Sequence, residues 1–235
     1  MNQAIIRQLE SASHRHNAQC HSCAMMAICH PPGSEWSDTP HQELRNYSKG
    51  RPVYHDKDPL SHLYCVREGA VKTYKLTPEG EEQILGFYFA GEVFGFDGLA
   101  TKKHGIHAEA LQDTELCRIP IHTLLQQPER MQHFFEVMSH EIRQAQEHIT
   151  LVNRNRAEVR IAAMLLDIAS RMQQGKPRLS FDLSISRGDM ANYLGLTIET
   201  ISRILRRMEL EGIAKLSRKK LEIFDLHALQ KQGYF

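Results

Sequence analysis

Three thiols crowd the stretch "QCHSCAMMAICH" (19–30), in the spacing Cys20-x2-Cys23-x5-Cys29. Thiolates are soft donors that suit zinc and iron–sulfur clusters. Either site closes on four ligands, so three thiols ask for a fourth donor. His14, His16, His21 and His30 sit in the same segment and are alternative zinc ligands. Spacing alone therefore leaves the metal open. The chain holds two further cysteines, Cys65 and Cys117. Cys65 falls in strand-like "HLYCVREG" and reads as a buried apolar residue.

A second chemistry lies near the other end. Between Arg187 and Lys220 the basic residues are 187, 203, 206, 207, 215, 218, 219 and 220, and the acids are 189, 199, 209 and 211. Eight less four leaves +4 in that stretch, against +1 for the whole chain. Positive charge this local suits contact with phosphates. Glu199, Ser202 and Arg203 stand at i, i+3 and i+4 and share one helix face. Arginine can donate two hydrogen bonds to guanine, and glutamate can accept from the cytosine amino group. The same pair also has the spacing of a simple helical salt bridge. The candidate DNA face comprises Arg187, Thr197, Glu199, Thr200, Ser202, Arg203 and Arg206.

These groups need elements to position them. "HLYCV" (62–66), "AVKTYKL" (70–76) and "EQILGFYF" (82–89) are rich in β-branched and aromatic residues and read as strands. "TPEG" (77–80) has the residues of a type I turn, and Gly69, Gly91, Gly95 and Gly98 mark further turns. Short strands with glycine turns predict an all-β roll. From Glu129 to about Asn153 there is neither proline nor glycine. Met131, Phe135, Met138, Ile142, Ala145, Ile149 and Val152 follow at alternating spacings of 4 and 3, the stripe of a coiled-coil seam. Phe134 is a second apolar position, able to face the roll. Further on, "SRGDMANYL" reads as a short helix capped by Ser186 and broken at Gly195. "TIETISRILRRMELEG" reads as a second helix, capped by Thr197 and ended by Gly212. Helix, short glycine turn, helix is the helix-turn-helix pattern, and "AKLSRKKLEIF" adds a two-stranded wing with a basic tip.

Composition bounds the rest. Hydrophobic residues make up 41% of the 235, an ordinary globular balance. No stretch approaches the roughly 18 apolar residues of a membrane helix. The N-terminus lacks the apolar core of a secretory signal. The chain is thus expected in a reducing cytoplasm, where clustered cysteines point to metal or redox chemistry. No nucleophile–base pairing is visible, so an enzyme is not expected.

Together the roll, the heptad helix and the C-terminal motif resemble the CRP/FNR superfamily of bacterial transcription regulators. "SRGDMANYLGLTIETISR" (186–203), "LTPEGEEQILGFYFAGEVFGFDGL" (76–99) and "LCRIP" (116–120) are similar to its FNR branch, the fumarate and nitrate reductase regulators. The resemblance implies an α+β fold: an N-terminal β-roll like a cyclic-nucleotide-binding jelly roll, a long dimerisation helix and a C-terminal winged helix-turn-helix. The corresponding segments are 1–33 (cysteine-rich), 34–127 (roll), 128–154 (dimer helix) and 155–235 (DNA-binding). In FNR-like regulators four cysteines hold an oxygen-labile [4Fe–4S] cluster; the matching residues here are Cys20, Cys23, Cys29 and Cys117, the last expected at the end of the final roll strand. Met25, Met26 and Ile28 would shield it.

The resemblance further implies a homodimer that reads double-stranded DNA at palindromic TTGAT-like half-sites through Glu199, Ser202 and Arg203. Anaerobic genes would be activated and aerobic ones repressed. The loop bearing Leu76, Thr77, Glu79, Gly80 and Glu81 matches the surface that touches RNA polymerase. Zinc or haem is the alternative effector chemistry. Cyclic nucleotides are not expected: His104 and Gly105 stand where cyclic-AMP binders place arginine and a hydroxyl residue, and no arginine occurs between Arg67 and Arg118. One departure is Ala145, at a seam position where the best-known members carry an acid. Without that repulsion the dimer is expected to depend less on its cluster than usual.

Overall fold

The computed structural model describes residues 23–29, 43–122, 128–172 and 179–233. Eight strands form the roll: β1 (Glu43–Tyr47), β2 (Pro52–Tyr54), β3 (His62–Glu68), β4 (Ala70–Leu76), β5 (Glu82–Phe89), β6 (Val93–Phe94), β7 (His107–Ala110) and β8 (Thr114–Pro120). They pair as two four-stranded sheets, β1-β8-β3-β6 and β2-β7-β4-β5. The strands read from the sequence at 62–66, 70–76 and 82–89 are all present. Gly69 turns β3 into β4 with φ +99°, and a Cβ there would stand 2.8 Å from the Thr114 Cα. Only glycine accepts both that dihedral and that approach.

β3 is buried along most of its length, because both of its faces are covered. Tyr64 and Val66 point into the roll with Val71, Phe94 and Leu116. Leu63 and Cys65 point the other way, into a cluster with Met25, Cys29, Cys117, Ile119 and Phe134. The period-two alternation of a strand thus sorts one sheet into a roll core and an outer apolar site.

A long helix, α2 (Pro128–Val152), follows the roll, and a 4-residue turn, α1 (Met26–Cys29), lies against it. Phe134 is buried against the outer cluster, as its place in the sequence predicts. Phe135, Ile142 and Ile149, spaced by seven, remain 57, 56 and 59% exposed. Met131 and Met138 instead lean on the outer cluster. The seam read from the sequence therefore divides: one row of the stripe stays open, and the upper part of the other helps seat α2 on the roll. Among the described residues no helix is long and apolar enough to cross a membrane.

The C-terminal unit comprises α3 (Ala157–Arg171), β9 (Ser180–Asp182), α4 (Arg187–Leu194), α5 (Ile198–Leu210), β10 (Ala214–Ser217), β11 (Lys220–Ile223) and α6 (Leu226–Gly233). Its wing is a three-stranded sheet, β10-β11-β9, one strand more than the sequence reading gave. Ile84, Phe87 and Phe89 of β5 share one core with Met164, Leu165, Ile168, Met190, Leu194 and Ile201. Polar bonds fix the same junction. The Ile84 N–H donates to Asn192 Oδ1 at 2.7 Å, and Asn192 Nδ2 donates to the Glu82 carbonyl at 2.6 Å. Arg171 pairs with Glu92 at 2.6 Å. Buried Lys72 reaches Glu82 at 2.5 Å and Asp189 of α4 at 3.7 Å.

Glu141 sits at the same junction. Burial pushes its carboxyl up to about 7, with Glu92 acting the same way and the Tyr88 hydroxyl and Arg171 opposing. A carboxyl raised in the fold binds more protons folded than unfolded, so ionising it weakens the fold. That loss is absent below the ordinary value of 4.5 and complete above about 7. Unfolding stability should fall between about pH 5 and about pH 8, and Glu141→Gln should flatten the slope when denaturant unfolding is measured across that range.

Candidate metal centre and nucleic-acid interface

The outer apolar cluster gathers the four cysteines among the described residues, Cys23, Cys29, Cys65 and Cys117. Cys65 and Cys117 are direct partners across β3 and β8, so their side chains leave the sheet on one face. Cys117 lies within β8, not at its end as expected from the sequence. Cys29, at the end of α1, and fully buried Met25 pack beside them. The segment is tied to the roll by backbone bonds: the Ala24 N–H donates to the Gly91 carbonyl at 3.0 Å, and the Met26 N–H to the Cys23 carbonyl at 3.0 Å. Cys23 Sγ accepts from the Met25 N–H at 3.3 Å and stands 3.1 Å from Cys65 Sγ.

That sulfur pair is polarised. A hydrogen bond from Cys65 holds the Cys23 thiol below the ordinary thiol range, against burial and with help from the Met25 N–H and Arg67. The same bond, then burial and the neighbouring thiols, push Cys65 well up. The reading of Cys65 as a buried apolar residue holds, with one addition. The residue is 2% exposed, yet its sulfur belongs to the thiol group. A contact across 42 residues carries no local sequence signal; only the shared face of β3 and β8 reveals it. Cys20, His14, His16, His21 and His30 lie outside the described residues, as does the side chain of Ile28. Among the described residues no three His, Cys, Asp or Glu side chains are arranged to hold a metal ion. What packing supplies is the donor chemistry: thiols in an apolar lining, beside the helix that carries the open seam.

The candidate nucleic-acid face is built from caps and turns. Ser186 and Asp189 form a reciprocal capping box at the start of α4, with the Asp189 N–H donating to Ser186 Oγ at 3.0 Å. Gly195 ends α4 in the left-handed conformation, φ 62° and ψ 42°. Thr197 caps α5 by accepting the Thr200 N–H at 3.2 Å. One face of α5 is buried through Ile201, Ile204, Leu205 and Met208. The opposite face presents Glu199, Arg203 and Arg206 to solvent, with Ser202 and Thr200 half-buried and Arg187 exposed nearby. Among the described residues neither Glu199 nor Arg203 takes part in an ion pair, which removes the simple salt-bridge reading. Arg207 turns away to Glu158 at 2.8 Å, and Lys215 to Glu209 at 2.8 Å. The wing tip carries Arg218, at φ 50°, and Lys219.

The two faces are connected through α2. His148 stacks on Tyr193 of α4 at 3.8 Å and bonds its backbone carbonyl at 2.8 Å. A cavity of about 570 Å³ lies at this crossing, lined by Tyr88, Glu141, Ala145, Arg171 and Tyr193 among others. Elsewhere on the roll, Leu76, Glu79, Gly80 and Glu81 are exposed and Thr77 half-buried. His104 is buried, stacked on Tyr54 at 3.6 Å and 3.2 Å from Asp97, whose other oxygen accepts the Gly105 N–H at 2.7 Å. A carboxylate thus occupies the neighbourhood where a cyclic phosphate would need a cation.

Known proteins share this arrangement. Residues 44–130 match the family model of the cyclic nucleotide-binding domain, and residues 159–232 match the Crp-like helix-turn-helix domain. The chain is 37% identical over 220 residues to the "Electron transport regulator A" of Shewanella oneidensis, covering 89% of this chain and 88% of that protein. It is 34% identical over 235 residues to the "Fumarate and nitrate reduction regulatory protein" of Escherichia coli, covering 96% and 93%. Among solved structures, FixK2 from Bradyrhizobium japonicum superposes with a TM-score of 0.75 at 28% identity, over 83% of this chain and 98% of that one.

Proposed function

The chain belongs to the CRP/FNR family of DNA-binding transcription regulators, and from that premise we propose that it is an oxygen-responsive member of the FNR kind. It is a regulator and not an enzyme. Cys20, Cys23, Cys29 and Cys117 would hold a [4Fe–4S] cluster, which supplies an oxygen-labile centre when bound. The donor set fits: three of these thiols pack with Met25 in an apolar cluster, which suits soft ligation and limits water access. The observation that carries the reading is that the same cluster includes Phe134 of α2.

The chain's own residues then transmit the change. With the thiols drawn together, α1 is held against Met131, Phe134 and Met138, which fixes the first turns of α2. Phe135, Ile142 and Ile149 are left for a second copy, with Ala145 and Val152 beside them. Burying the exposed part of each large side chain in a dimer contributes about 1–2 kcal/mol. Pairing the seams sets two α5 helices about one DNA turn apart, matching an inverted repeat of TTGAT-like half-sites. There Glu199, Ser202 and Arg203 read bases, while Arg187, Thr197, Thr200 and Arg206 meet the backbone. Release of the thiols in oxygen loosens α1 and shifts the population away from the paired form. On DNA, the loop Leu76–Glu81 touches RNA polymerase, activating anaerobic genes and repressing aerobic ones. The protein works in the cytoplasm and takes no cyclic nucleotide.

The test is anaerobic purification with iron and sulfide analysis, followed by DNA binding before and after air. Equal iron and sulfide, and binding that falls in air, are expected. Zinc in place of iron, or binding indifferent to air, would sink the reading.

A further inference from the structure

We infer that Cys23 and Cys65 form a disulfide when the metal centre is lost, so that this pair is a peroxide-oxidised modification site that blocks reassembly. The order of events rests on the iron–sulfur reading; the pair itself rests on geometry. Cys65 is the one cysteine that the proposed ligand set leaves over. It is fixed in β3 by ladder bonds to β8 and β6. Cys23 is placed independently, by the backbone bonds of Ala24 and Met26. The two sulfurs stand 3.1 Å apart, so a bond of about 2.05 Å needs a movement of only about 1 Å.

Access divides the roles. Cys23 is half-buried and meets solvent, whereas Cys65 is 2% exposed. The oxidant is hydrogen peroxide. The Cys23 sulfur attacks one peroxide oxygen, the O–O bond breaks, and a sulfenic acid and water result. The Cys65 sulfur then attacks that sulfur, the S–S bond forms, and the hydroxyl leaves as a second water. Two thiols and one peroxide become one disulfide and two waters. Cys23 is thereby withdrawn from the ligand set until a dithiol reduces the bond. Oxygen and peroxide would leave different marks: the first empties the centre, and the second holds it empty.

The experiment uses the full chain, purified anaerobically, with iron and sulfide measured first. The metal is then chelated away, hydrogen peroxide added, thiols counted and the unreduced digest mapped by mass spectrometry. Two of the five thiols should disappear, in one linked pair joining Cys23 to Cys65, and a dithiol should restore both. In Cys65→Ala, the sulfenic acid has no resolving partner, so dimedone should label Cys23 far more than in the parent chain. Cys23 joined to Cys20, Cys29 or Cys117, or equal dimedone labelling in both proteins, would overturn the proposal. Should the variant fold poorly, the map of the parent chain decides alone. Absence of iron and sulfide at the first step would count against the metal reading only, because the map is made on metal-free protein.

Discussion

Cys117→Ser protein purified without oxygen should carry almost no iron or sulfide, and its affinity for a palindromic site should drop to that of air-exposed parent protein. Cys117 sits within β8, packed with Cys29, Cys65 and Phe134. Serine is nearly the same size, so the sheet should persist. The hydroxyl is a poor ligand for iron, and the facing thiol of Cys65 is engaged with Cys23 at 3.1 Å. The buried hydroxyl itself should cost about 1–3 kcal/mol of stability, which denaturant unfolding would register separately from metal content. Cys65→Ser is the matched control, because it changes the facing residue on β3 and leaves all four proposed ligands. Iron retained by Cys117→Ser and lost by Cys65→Ser would reverse their roles.

The second large effect concerns base reading. Arg203→Ala should weaken binding to the specific palindrome by about 1–3 kcal/mol, roughly 5- to 150-fold, for each half-site, and leave binding to scrambled DNA nearly unchanged. Its guanidinium is exposed on α5 and takes part in no ion pair among the described residues, so little of the cost should come from the fold. Arg206→Ala should act differently. It should weaken all sequences alike and reduce the salt slope by about one. Anaerobic fluorescence anisotropy on both duplexes across a salt series separates the two. An Arg203→Ala loss equal on specific and scrambled DNA would remove it from base recognition.

Much of this site was legible before the structure because its determinants are local. Ser186, Gly195 and Thr197 announce their turns by type, and each takes the expected cap or dihedral. The strands at 62–66, 70–76 and 82–89 follow from β-branched and aromatic runs between glycines. Features that depend on partners distant in sequence were not legible. β1 is mostly exposed and polar, and β9 is three residues long; each is a strand because a neighbour's ladder completes it. The periodicity of α2 was plain, yet not which row would serve the roll. Met131 and Met138 pack against the same cluster that buries Phe134 with the thiols, a pairing set by the roll and not by the helix. The burial of Cys65 was legible but its contact with Cys23 was not, since nothing near either residue in sequence names the other.

The grip of Asn192 on β5 has a consequence for how the molecule moves. β5 is the outermost strand of its sheet, and that single amide occupies both its Ile84 N–H and its Glu82 carbonyl. An unsheathed strand margin invites pairing with another polypeptide. A roll cut away from its DNA-reading half would therefore be left sticky along this margin. The intact chain carries its own guard, so any swing of the reading head that lifts α4 away would uncover, for as long as it lasts, a place where copies can stack into aggregates.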